Sequence, residues 1–439
     1  MQKQFGIVRA LNLSMSNEPV AKRMLVFHSA YTYEYLREFG MEIFVQARDA
    51  GNLFEEILTV SPVANLQYRT DDYRNYTKPE FFKLDSKNLI LEGKTTRYRF
   101  LKKIPVLNFA IAQLSLFITI FRKGHLREVQ IVRAEDPRVN GLYGFFFSRL
   151  LRKPLVVGVW GNPGRLRELN QAPNMPRLFP TMKSEERLEK FVLNRADAVL
   201  AQNQENLNYA LAAGVNPLKT HFTQLGVGID KSHFLPKEQR QDVRSDFETW
   251  GAIGINVLIC ISRLEVSKMV DHAILASKTL KGAGVDFKLI LVGDGRERNN
   301  LKSLAEKEGL TDEIIFAGNR SQAWIAGALN FVDINVAPLC GRSLLEASLG
   351  GLPAVSYDVD WHSEIVIPNS TGFLVPNLDF SAMGEAILQL CRDQELREQM
   401  ATSMHQKAMD LASPEKIAQK QRIIYQELVF GRVDTTRVN

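Results

Sequence analysis

The sequence predicts an α/β fold made of two doubly wound domains that face each other across a cleft. From about Val129 onward, short apolar runs rich in β-branched residues alternate with stretches of helical periodicity, the pattern of βαβ units and a parallel sheet. The chain has 439 residues, and single cores stop growing at about 250–300 residues. The alternation lapses at PKEQRQDVRSD and restarts at Val257. We therefore predict domains over residues 1–235 and 236–439.

In the first domain, strands and helices are clear after Val129 and less clear before it. The strands predicted there are VQIVRA, PLVVGVW, ADAVLAQ and HFTQLG, preceded by RMLVFH, MEIFVQA and NLILEG. The helices predicted are NGLYGFFFSRLL, one that opens near Ser184 and one that begins at about Gln204. These elements are enough for one parallel sheet with helices on its faces.

In the second domain, predicted strands and helices alternate more regularly. Its predicted strands are VLICIS, FKLILVG, EIIFAG, DINVAP and PAVSY. Gly284, Gly309 and Gly351 stand where the intervening helices should end. Three helices, at about 379–391, 394–411 and 414–429, complete the chain. In such sheets ligands bind at the carboxyl ends of the strands, so candidate site residues are sought there.

Composition excludes several classes of protein. Lys and Arg number 55 and Asp and Glu 49, and a net charge of +6 is too small and dilute to predict nucleic-acid binding. Cys260, Cys340 and Cys391 are far apart along the chain, so neither a disulfide framework nor a clustered zinc site is expected. The first residues lack the apolar core of a signal peptide, which predicts a cytoplasmic protein.

One segment departs from the even composition. The 18 residues from Ile104 to Phe121 carry no charge, and basic residues flank them on both sides. A buried core helix is one interpretation, because Asn108, Ser115 and Thr119 fall on one face. The other is a helix that lies in a membrane surface with its basic flanks on anionic headgroups. On that interpretation residues 97–123 contact the inner face of a membrane.

Several motifs are absent or incomplete. Gly293-Asp294-Gly295 resembles the start of a dinucleotide fingerprint, but the third glycine position is Arg298, which favours a tight turn between strand and helix. A Walker loop, an HExxH pair and a GxSxG elbow are all missing. Asp358 and Asp360 supply only two ligands, and His362 lacks a spaced partner, so no metal site is predicted.

Two places in the second domain are typical of anion binding. Arg263 and Lys268 follow the strand VLICIS, where a forked guanidinium and an ammonium can neutralise a diphosphate. The alternative is a solvated pair of charges. Gly341, Arg342, Ser343 and Leu344 open a helix, whose free N–H groups favour an anion, although Ser343 also suits a simple N-cap. Glu346, one turn later, can accept hydrogen bonds from ribose hydroxyls.

In order, ISRLEVSK, LILVGDGRERNNLKSLAEKEGLTDEIIFAG, FVDINVAP, LLEASLGGLPAVSYDVDWHSEIV and TGFLVP resemble the donor domain of retaining GT-B glycosyltransferases of family four. The resemblance implies two Rossmann-like domains, a nucleotide-sugar donor in the second and an acceptor mainly in the first. It implies that Arg263 and Lys268 hold the diphosphate and act catalytically, with no metal or other cofactor. Glu346 would bind the ribose, the 341–344 helix start the phosphates, and Gly318, Asn319 and Arg320 the base.

The sequence departs from this family in three places. Pro338 stands where the family has a glutamate that contacts the donor sugar, and Met269 where it has glycine. In the first domain, VVGVWGNP is similar to a strand that in the family ends in a histidine near the reacting centre. Trp160 and Asn162 occupy that neighbourhood and, with Asp136, are the candidate acceptor-side residues.

The function expected is therefore transfer of a hexose-type sugar from a nucleoside diphosphate to a glycan or lipid-linked acceptor with retention of configuration, in the synthesis of cell-surface polysaccharide or glycoconjugate. Two alternatives stay open. One is another enzyme on the same scaffold, such as a nucleotide-sugar epimerase or a sugar phosphorylase. The other is a catalytically silent binding subunit, which the proline at position 338 favours.

Overall fold

The computed structural model describes residues 20–38, 40–64, 73–122, 124, 126–176, 178–223 and 228–431. Two sheets organise them, as the sequence predicts. The first has the strand order β3-β4-β2-β1-β5-β6-β7-β8 and is parallel except for β3; the second has the order β11-β10-β9-β12-β13-β14 and is parallel throughout. The strands of the first sheet are β1 (Ala21–Phe27), β2 (Phe54–Ser61), β3 (Glu80–Lys83), β4 (Asn88–Glu92), β5 (Val129–Ala134), β6 (Leu155–Val159), β7 (Ala198–Ala201) and β8 (Thr220–Phe222).

The second sheet contains β9 (Asn256–Ile261), β10 (Phe287–Val292), β11 (Ile314–Gly318), β12 (Ile334–Ala337), β13 (Ala354–Tyr357) and β14 (Gly372–Val375). The helices of the first part are α1 (Tyr33–Glu38), α2 (Ile43–Gln46), α3 (Pro105–Arg122), α4 (Val139–Leu151), α5 (Pro163–Asn170), α6 (Met182–Leu193) and α7 (Gln204–Ala212). Those of the second part are α8 (Arg244–Thr249), α9 (Val270–Gly282), α10 (Arg298–Lys307), α11 (Gln322–Ala328), α12 (Ser343–Leu349), α13 (Phe380–Arg392), α14 (Gln394–Ala412) and α15 (Pro414–Phe430).

Apolar residues of the strands form the two cores. Between β9 and its neighbours, side chains such as Leu258 and Leu289 are fully buried and pack against α9 and α13. In the first sheet, Leu25 and Val132 do the same beneath α3 and α4. Strands buried on both faces read as continuous apolar runs, which is why they are visible in the sequence.

The predictions for the least regular stretch, before Val129, were partly wrong. MEIFVQA is not a strand: its residues Ile43–Gln46 form the short helix α2. The sequence analysis also missed β2, which pairs in parallel with both β1 and β4, as well as β3 and, in the second sheet, β14. The predicted strand HFTQLG is observed only as Thr220–Phe222, and its residues 224–226 lie outside the described residues.

The predicted boundary at residue 235 falls between the last strand of the first sheet and the first strand of the second. The final helix, however, departs from the predicted division, because α15 packs on the first sheet. The Tyr425 ring is fully buried against Phe54, and its hydroxyl accepts a hydrogen bond from the Arg133 guanidinium. Arg422 donates to the Gly51 carbonyl at 2.9 Å. The chain therefore crosses back to the first domain after α14.

Helix α3 buries polar as well as apolar side chains, among them Leu116 and Ile120, and exposes an apolar surface. Its buried face includes Asn108, which bonds the backbone of Arg97 and Tyr98, and Gln113, which donates to the Lys94 carbonyl. Its outer face is apolar, with Val106 exposed to 80%. By length and composition α3 is apolar enough to cross a membrane, and 28% of its 18 residues are buried. The core-helix interpretation therefore holds for one face of α3, where Leu116 and Ile120 join the first core, while Val106 and Leu114 on another face are exposed.

Candidate active site

The carboxyl ends of β9, β10, β12 and β13 lie along one edge of the second sheet, because these strands are parallel neighbours. The segments that follow them include predicted donor-site residues. Arg263 and Lys268 follow β9, and Gly341 and Arg342 follow β12. The Gly293 turn follows β10, and Asp360 follows β13. The fold thus brings most of the predicted donor residues to a common edge.

Arg263 and Lys268 are the two cations of this edge. Arg263 is exposed and Lys268 half-buried. Within the part of the chain that the structure describes, neither side chain has a hydrogen bond or an ion pair. Burial lowers the pKa of Lys268, and the neighbouring Arg263 lowers it further. Two neighbouring cations without ion-pair partners create a positive electrostatic potential that favours the binding of an anion.

The turn Gly293-Asp294-Gly295 supports the segment that carries Arg263. The Leu264 N–H donates to the Asp294 carbonyl at 3.0 Å. A Cβ atom at Gly293 would lie 2.0 Å from the Ser262 carbonyl oxygen, and one at Gly295 would lie 2.2 Å from that of Leu264. Both glycines are therefore required by the close approach of two backbone segments. This agrees with a tight turn and not with a dinucleotide fingerprint.

The start of α12 at residues 341–344 matches neither the free N–H groups nor the Ser343 N-cap that the sequence suggests. Arg342 is the N-cap residue and makes no capping bond with its side chain. The Ser343 hydroxyl instead donates to the Ile261 carbonyl at 2.6 Å, which ties α12 to the end of β9. The Leu344 N–H already donates to the Gly341 carbonyl at 3.1 Å. Fewer N–H groups are therefore free for an anion than the sequence suggested.

Glu346 is the residue predicted to bind the ribose, but its carboxylate already accepts a hydrogen bond from a protein side chain. It is 2% exposed and accepts a hydrogen bond from Arg342 Nε at 2.7 Å. The Arg342 guanidinium lies over the ring of Phe44, 4.1 Å from its centroid. Phe44 belongs to α2 of the first domain, so Arg342 spans the cleft. A ribose at Glu346 would share the carboxylate with Arg342.

His362, for which the sequence allows either a structural or a substrate-contacting role, has structural contacts. It is fully buried, and its Nε2 lies 2.9 Å from the Cys340 carbonyl while its Nδ1 lies 2.6 Å from the Ser356 hydroxyl. Burial lowers the pKa of this imidazole, which keeps it neutral at physiological pH. The ring therefore anchors the segment that follows β12. The free thiols of Cys260 and Cys340, distant in sequence, meet beneath it.

The predicted base-binding turn is open on one side. Gly318 has φ of +73° and accepts a hydrogen bond from the Gly293 N–H at 2.9 Å, so the turn joins the two strand ends. Asn319 is exposed. The Arg320 guanidinium stacks on the Trp324 ring at 4.8 Å and donates to the Ala317 carbonyl. This planar cation beside an exposed amide can face a nucleobase.

Trp160, predicted on the acceptor side, is anchored in a buried charged cluster of the first domain. Its indole N–H donates to Glu135, which also forms ion pairs with Arg48 at 2.8 Å and Arg133 at 3.1 Å. Burial opposes ionisation of Glu135, but the two guanidinium groups outweigh it and hold its pKa at about 2. The cluster lies under the carboxyl ends of β5 and β6 and fixes the indole there.

Asp136 and Asn162 shape the neighbouring strand ends. Asp136 accepts hydrogen bonds from the Arg138 N–H, at 2.8 Å, and from the Asn140 amide. Asn162 caps α5 through the Arg165 N–H at 3.1 Å, and its amide donates to Glu205 Oε1 at 3.0 Å. All three acceptor-side candidates thus lie at the carboxyl edge of the first sheet.

Sequence reasoning missed the residues through which the domains meet. The Glu364 carboxylate accepts a hydrogen bond from the Gln204 N–H at 2.7 Å, so it caps α7 of the first domain. The pKa of Glu205, the next residue, is raised to about 7, first by burial and then by the Asp360 carboxyl of the second domain. The sequence showed an acidic residue at each helix or strand end, but it contained no signal that the two would influence each other. Among the described residues, no group of three or more His, Cys, Asp or Glu side chains has the arrangement of a metal site.

The second domain is similar to a known family. Residues 251–407 match the model of "Glycosyl transferases group 1". This match covers 157 of the 439 residues. A curated relative, the alpha-D-kanosaminyltransferase of Streptomyces kanamyceticus, is 25% identical over 269 residues, which are 59% of this chain and 67% of that protein. Matches to two other curated relatives span only 19% and 46% of those proteins.

Solved structures match over nearly the whole chain and identify the GT-B fold. Sucrose-phosphate synthase of Thermosynechococcus elongatus superimposes with a TM-score of 0.69 at 16% identity, covering 94% of this chain and 100% of that one. HepE of Anabaena, solved with UDP and glucose, has a TM-score of 0.64 at 17% identity over 90% of this chain and 97% of its own. The match to a glycosyltransferase family model thus covers residues 251–407, and the GT-B fold extends over nearly the whole chain.

Proposed function

We propose that this protein transfers a hexose-type sugar from a nucleoside diphosphate to a lipid-linked or membrane-surface glycan acceptor, with retention of configuration, in the synthesis of a cell-surface polysaccharide or glycoconjugate. The observation that carries the proposal is the pair of unpaired cations, Arg263 and Lys268, at the carboxyl end of β9 in the part of the chain that matches the group 1 family model. A diphosphate is the part of such a donor that both cations can contact at once.

Transfer breaks the bond between the anomeric carbon and the diphosphate oxygen and forms one from that carbon to an acceptor hydroxyl oxygen. Negative charge grows on the departing diphosphate, and Arg263 and Lys268 would stabilise it without having to reorganise. On the mechanism that the family resemblance implies, the hydroxyl proton goes to the leaving phosphate. Retention agrees with that mechanism, and the proposal includes no metal ion.

Nucleotide binding is the most direct test. We expect one nucleoside diphosphate from a panel of UDP, GDP, ADP and dTDP, or its sugar, to raise the melting temperature by several degrees. A ligand at about 100 times its Kd stabilises the folded state by about 2.7 kcal/mol. UDP enters the panel because HepE was solved with it. If none of them shifts the melting temperature at millimolar concentration, the donor assignment is wrong.

A second candidate, a catalytically silent binding subunit, is favoured by Pro338, which replaces the sugar-contacting glutamate of the family and follows β12 directly. Incubation with the donor that binds distinguishes the candidates. Sugar transfer to an acceptor supports the enzyme, and the anomeric configuration of its product, read by NMR, tests retention. Binding with no transfer to any acceptor and no hydrolysis supports the silent subunit.

The acceptor class follows from the outer face of the first domain. The exposed apolar side chains of α3 continue onto α4, where Leu142, Phe146 and Leu150 recur at intervals of four residues and are 45–48% exposed. Phe117 of α3 contacts Phe146 edge to face at 5.5 Å, so the two helices form a single apolar surface. Basic residues stand next to this surface along the chain: those within 97–103, Arg122, Arg149 and Arg152. Such a surface suits an anionic lipid bilayer, although Lys123 itself lies outside the described residues.

Vesicle flotation tests this surface. We expect the protein to float with vesicles of phosphatidylcholine and phosphatidylglycerol at low salt and much less at high salt. Replacing Val106 and Leu114, which are 80% and 59% exposed, by serine should weaken binding at least about tenfold, because each buried side chain contributes about 1.5–3 kcal/mol. The double variant L218S/I253S, at exposed apolar residues elsewhere, is the control. Failure of the unmodified protein to float would rule the surface out.

A further inference from the structure

The last helix of the chain makes a contact deep inside the first domain. Helix α15 follows α14, whose Met404 and Ala408 are buried in the core of the second domain, and it packs on the first sheet. Its Tyr425 is fully buried, and the Tyr425 hydroxyl accepts a hydrogen bond from Arg133 Nη1 at 2.5 Å. This nitrogen has no other acceptor among the described residues. A segment that comes from the second domain thus supplies a partner to a buried cation of the first.

Arg133 connects this contact to Trp160. Its guanidinium lies over the Trp160 ring, 5.5 Å from the centroid. It also forms a two-point pair with Glu135, in which Nη2 donates to Oε2 at 3.2 Å and Nε lies 3.1 Å from Oε1. The same Oε2 accepts the indole N–H of Trp160 at 2.5 Å. Because the guanidinium is planar and all three of its nitrogens are engaged, it cannot turn without disturbing Glu135 and the indole together.

A glycine allows the indole to lie where these groups hold it. Trp160 directly follows β6, and a Cβ atom at Gly158 would lie 2.5 Å from the indole atoms Cε2 and Nε1. The ring is therefore folded back on the strand that carries it, against the apolar cluster that also contains Tyr425. Trp160 is half-buried. The ring is thus held at the carboxyl edge of the first sheet, where the acceptor-side candidates lie.

We propose that Tyr425 is a positioning residue, which holds the Trp160 indole in place through Arg133, so that α15 completes the acceptor-side edge of the first sheet. Only the statement that Trp160 faces an acceptor rests on the proposed function. Without the Tyr425 hydroxyl, Arg133 Nη1 is a buried donor without a partner, which is costly, and the guanidinium is expected to turn. The Trp160 ring then loses the cation on its face, and its hydrogen bond to Glu135 weakens.

The variant Y425F separates this role from packing. A phenylalanine ring keeps the contact with Phe54, whose ring centroid lies 5.8 Å from that of Tyr425, and loses only the hydroxyl. Y357F is the matched control, because Tyr357 of the second domain is also fully buried and its hydroxyl lies 2.7 Å from His272 Nδ1. Both variants lose one buried hydroxyl, but only Y425F removes a partner of Arg133.

The readout is the state of the Trp160 indole in the full chain without nucleotide or acceptor. The chain has four tryptophans, so labelling with fluorotryptophan gives four fluorine NMR signals, and the one missing from W160F belongs to Trp160. We expect Y425F to shift that signal and to leave the others in place, because the other tryptophans lie in the second domain. Hydrogen exchange of the Trp160 indole N–H should be at least about fivefold faster in Y425F. Y357F should leave both the signal and the exchange rate of Trp160 unchanged.

Kinetics test the consequence for transfer. With the donor identified by thermal shift and an acceptor that supports transfer, Y425F should raise the KM for the acceptor at least about threefold. The KM for the donor should stay unchanged. A general loss of stability would not separate the two constants.

An unchanged signal and exchange rate of Trp160 in Y425F would overturn the positioning role, and so would the same changes in Y357F. An unchanged acceptor KM in a Y425F protein whose Trp160 signal has moved would overturn the role of α15 at the acceptor-side edge. If no nucleotide binds, the donor assignment fails, and the NMR measurements still decide whether Tyr425 positions Trp160.

Discussion

Replacing both Arg263 and Lys268 by alanine is expected to reduce sugar transfer by at least about 1,000-fold. Removal of one donor that stabilises charge in a transition state costs about 100–1,000-fold in other enzymes, and here two are removed from the same leaving group. Steady-state rates with the donor identified by thermal shift give the measurement. The same variant should lose most of the nucleotide-induced rise in melting temperature.

The unliganded variant should melt close to the unmodified protein. Neither side chain has a partner among the described residues, and substitutions away from such contacts usually change stability by less than about 0.5 kcal/mol. A matched double variant, K183A/R187A, removes one lysine and one arginine from the exposed side of α6 and should leave transfer unchanged. Undiminished transfer by the Arg263 and Lys268 variant would remove both residues from the mechanism.

Gly293→Ala is expected to have the largest effect on stability. Its Cβ would lie 2.0 Å from the carbonyl oxygen of Ser262, and the obstacle is backbone, which cannot rotate away as a side chain can. The residue also has φ of +133°, a region that side chains disfavour. We expect a loss of at least about 3 kcal/mol in the free energy of unfolding, measured by urea denaturation.

Gly284→Ala is the control for that experiment. Gly284 also has a positive φ, of +70°, but a Cβ there meets nothing within 4 Å. The cost should be about 1–2 kcal/mol, from the backbone conformation alone. If Gly293→Ala were no more destabilising than Gly284→Ala, the segment that carries Arg263 would not depend on the close approach of the two backbones. Any Gly293→Ala protein that still folds should bind nucleotide weakly, because the Arg263 segment must move to admit the methyl group.

The donor-site residues were easier to predict from the sequence than the acceptor-side residues. Arg263 and Lys268 directly follow an apolar β-strand, and residues at that place in a doubly wound sheet lie at its carboxyl edge whatever the rest of the chain does. The structure places them there, unpaired, although their catalytic role stays a prediction. Ribose binding by Glu346 stays a prediction, and the sequence did not show that Arg342 already donates a hydrogen bond to its carboxylate.

The contacts of the acceptor-side residues were harder to predict, because they depend on packing between segments that are distant in the sequence. Trp160 was identified by analogy of position, yet its indole is committed to Glu135 of the next strand. Asp360, which helps raise the pKa of Glu205, lies 155 positions away in the sequence and in the other domain. Nothing in their local patterns indicates this influence, because each residue follows the ordinary preference of acidic side chains for helix starts and strand ends.

By itself, the sequence determined the alternation of strands and helices in most of the chain, the resemblance to a glycosyltransferase donor domain, and the positions of the two cations. These follow from periodicity and from residues at strand ends, which are local properties. Only the tertiary structure decided which face of α3 is buried and that α15 returns to the first domain. Helical periodicity groups residues into faces, but the partner against which a helix packs selects the face that leaves water. In α3 the buried face combines Asn108 and Gln113, which satisfy backbone groups, with Leu116 and Ile120, and the remaining apolar residues stay outside.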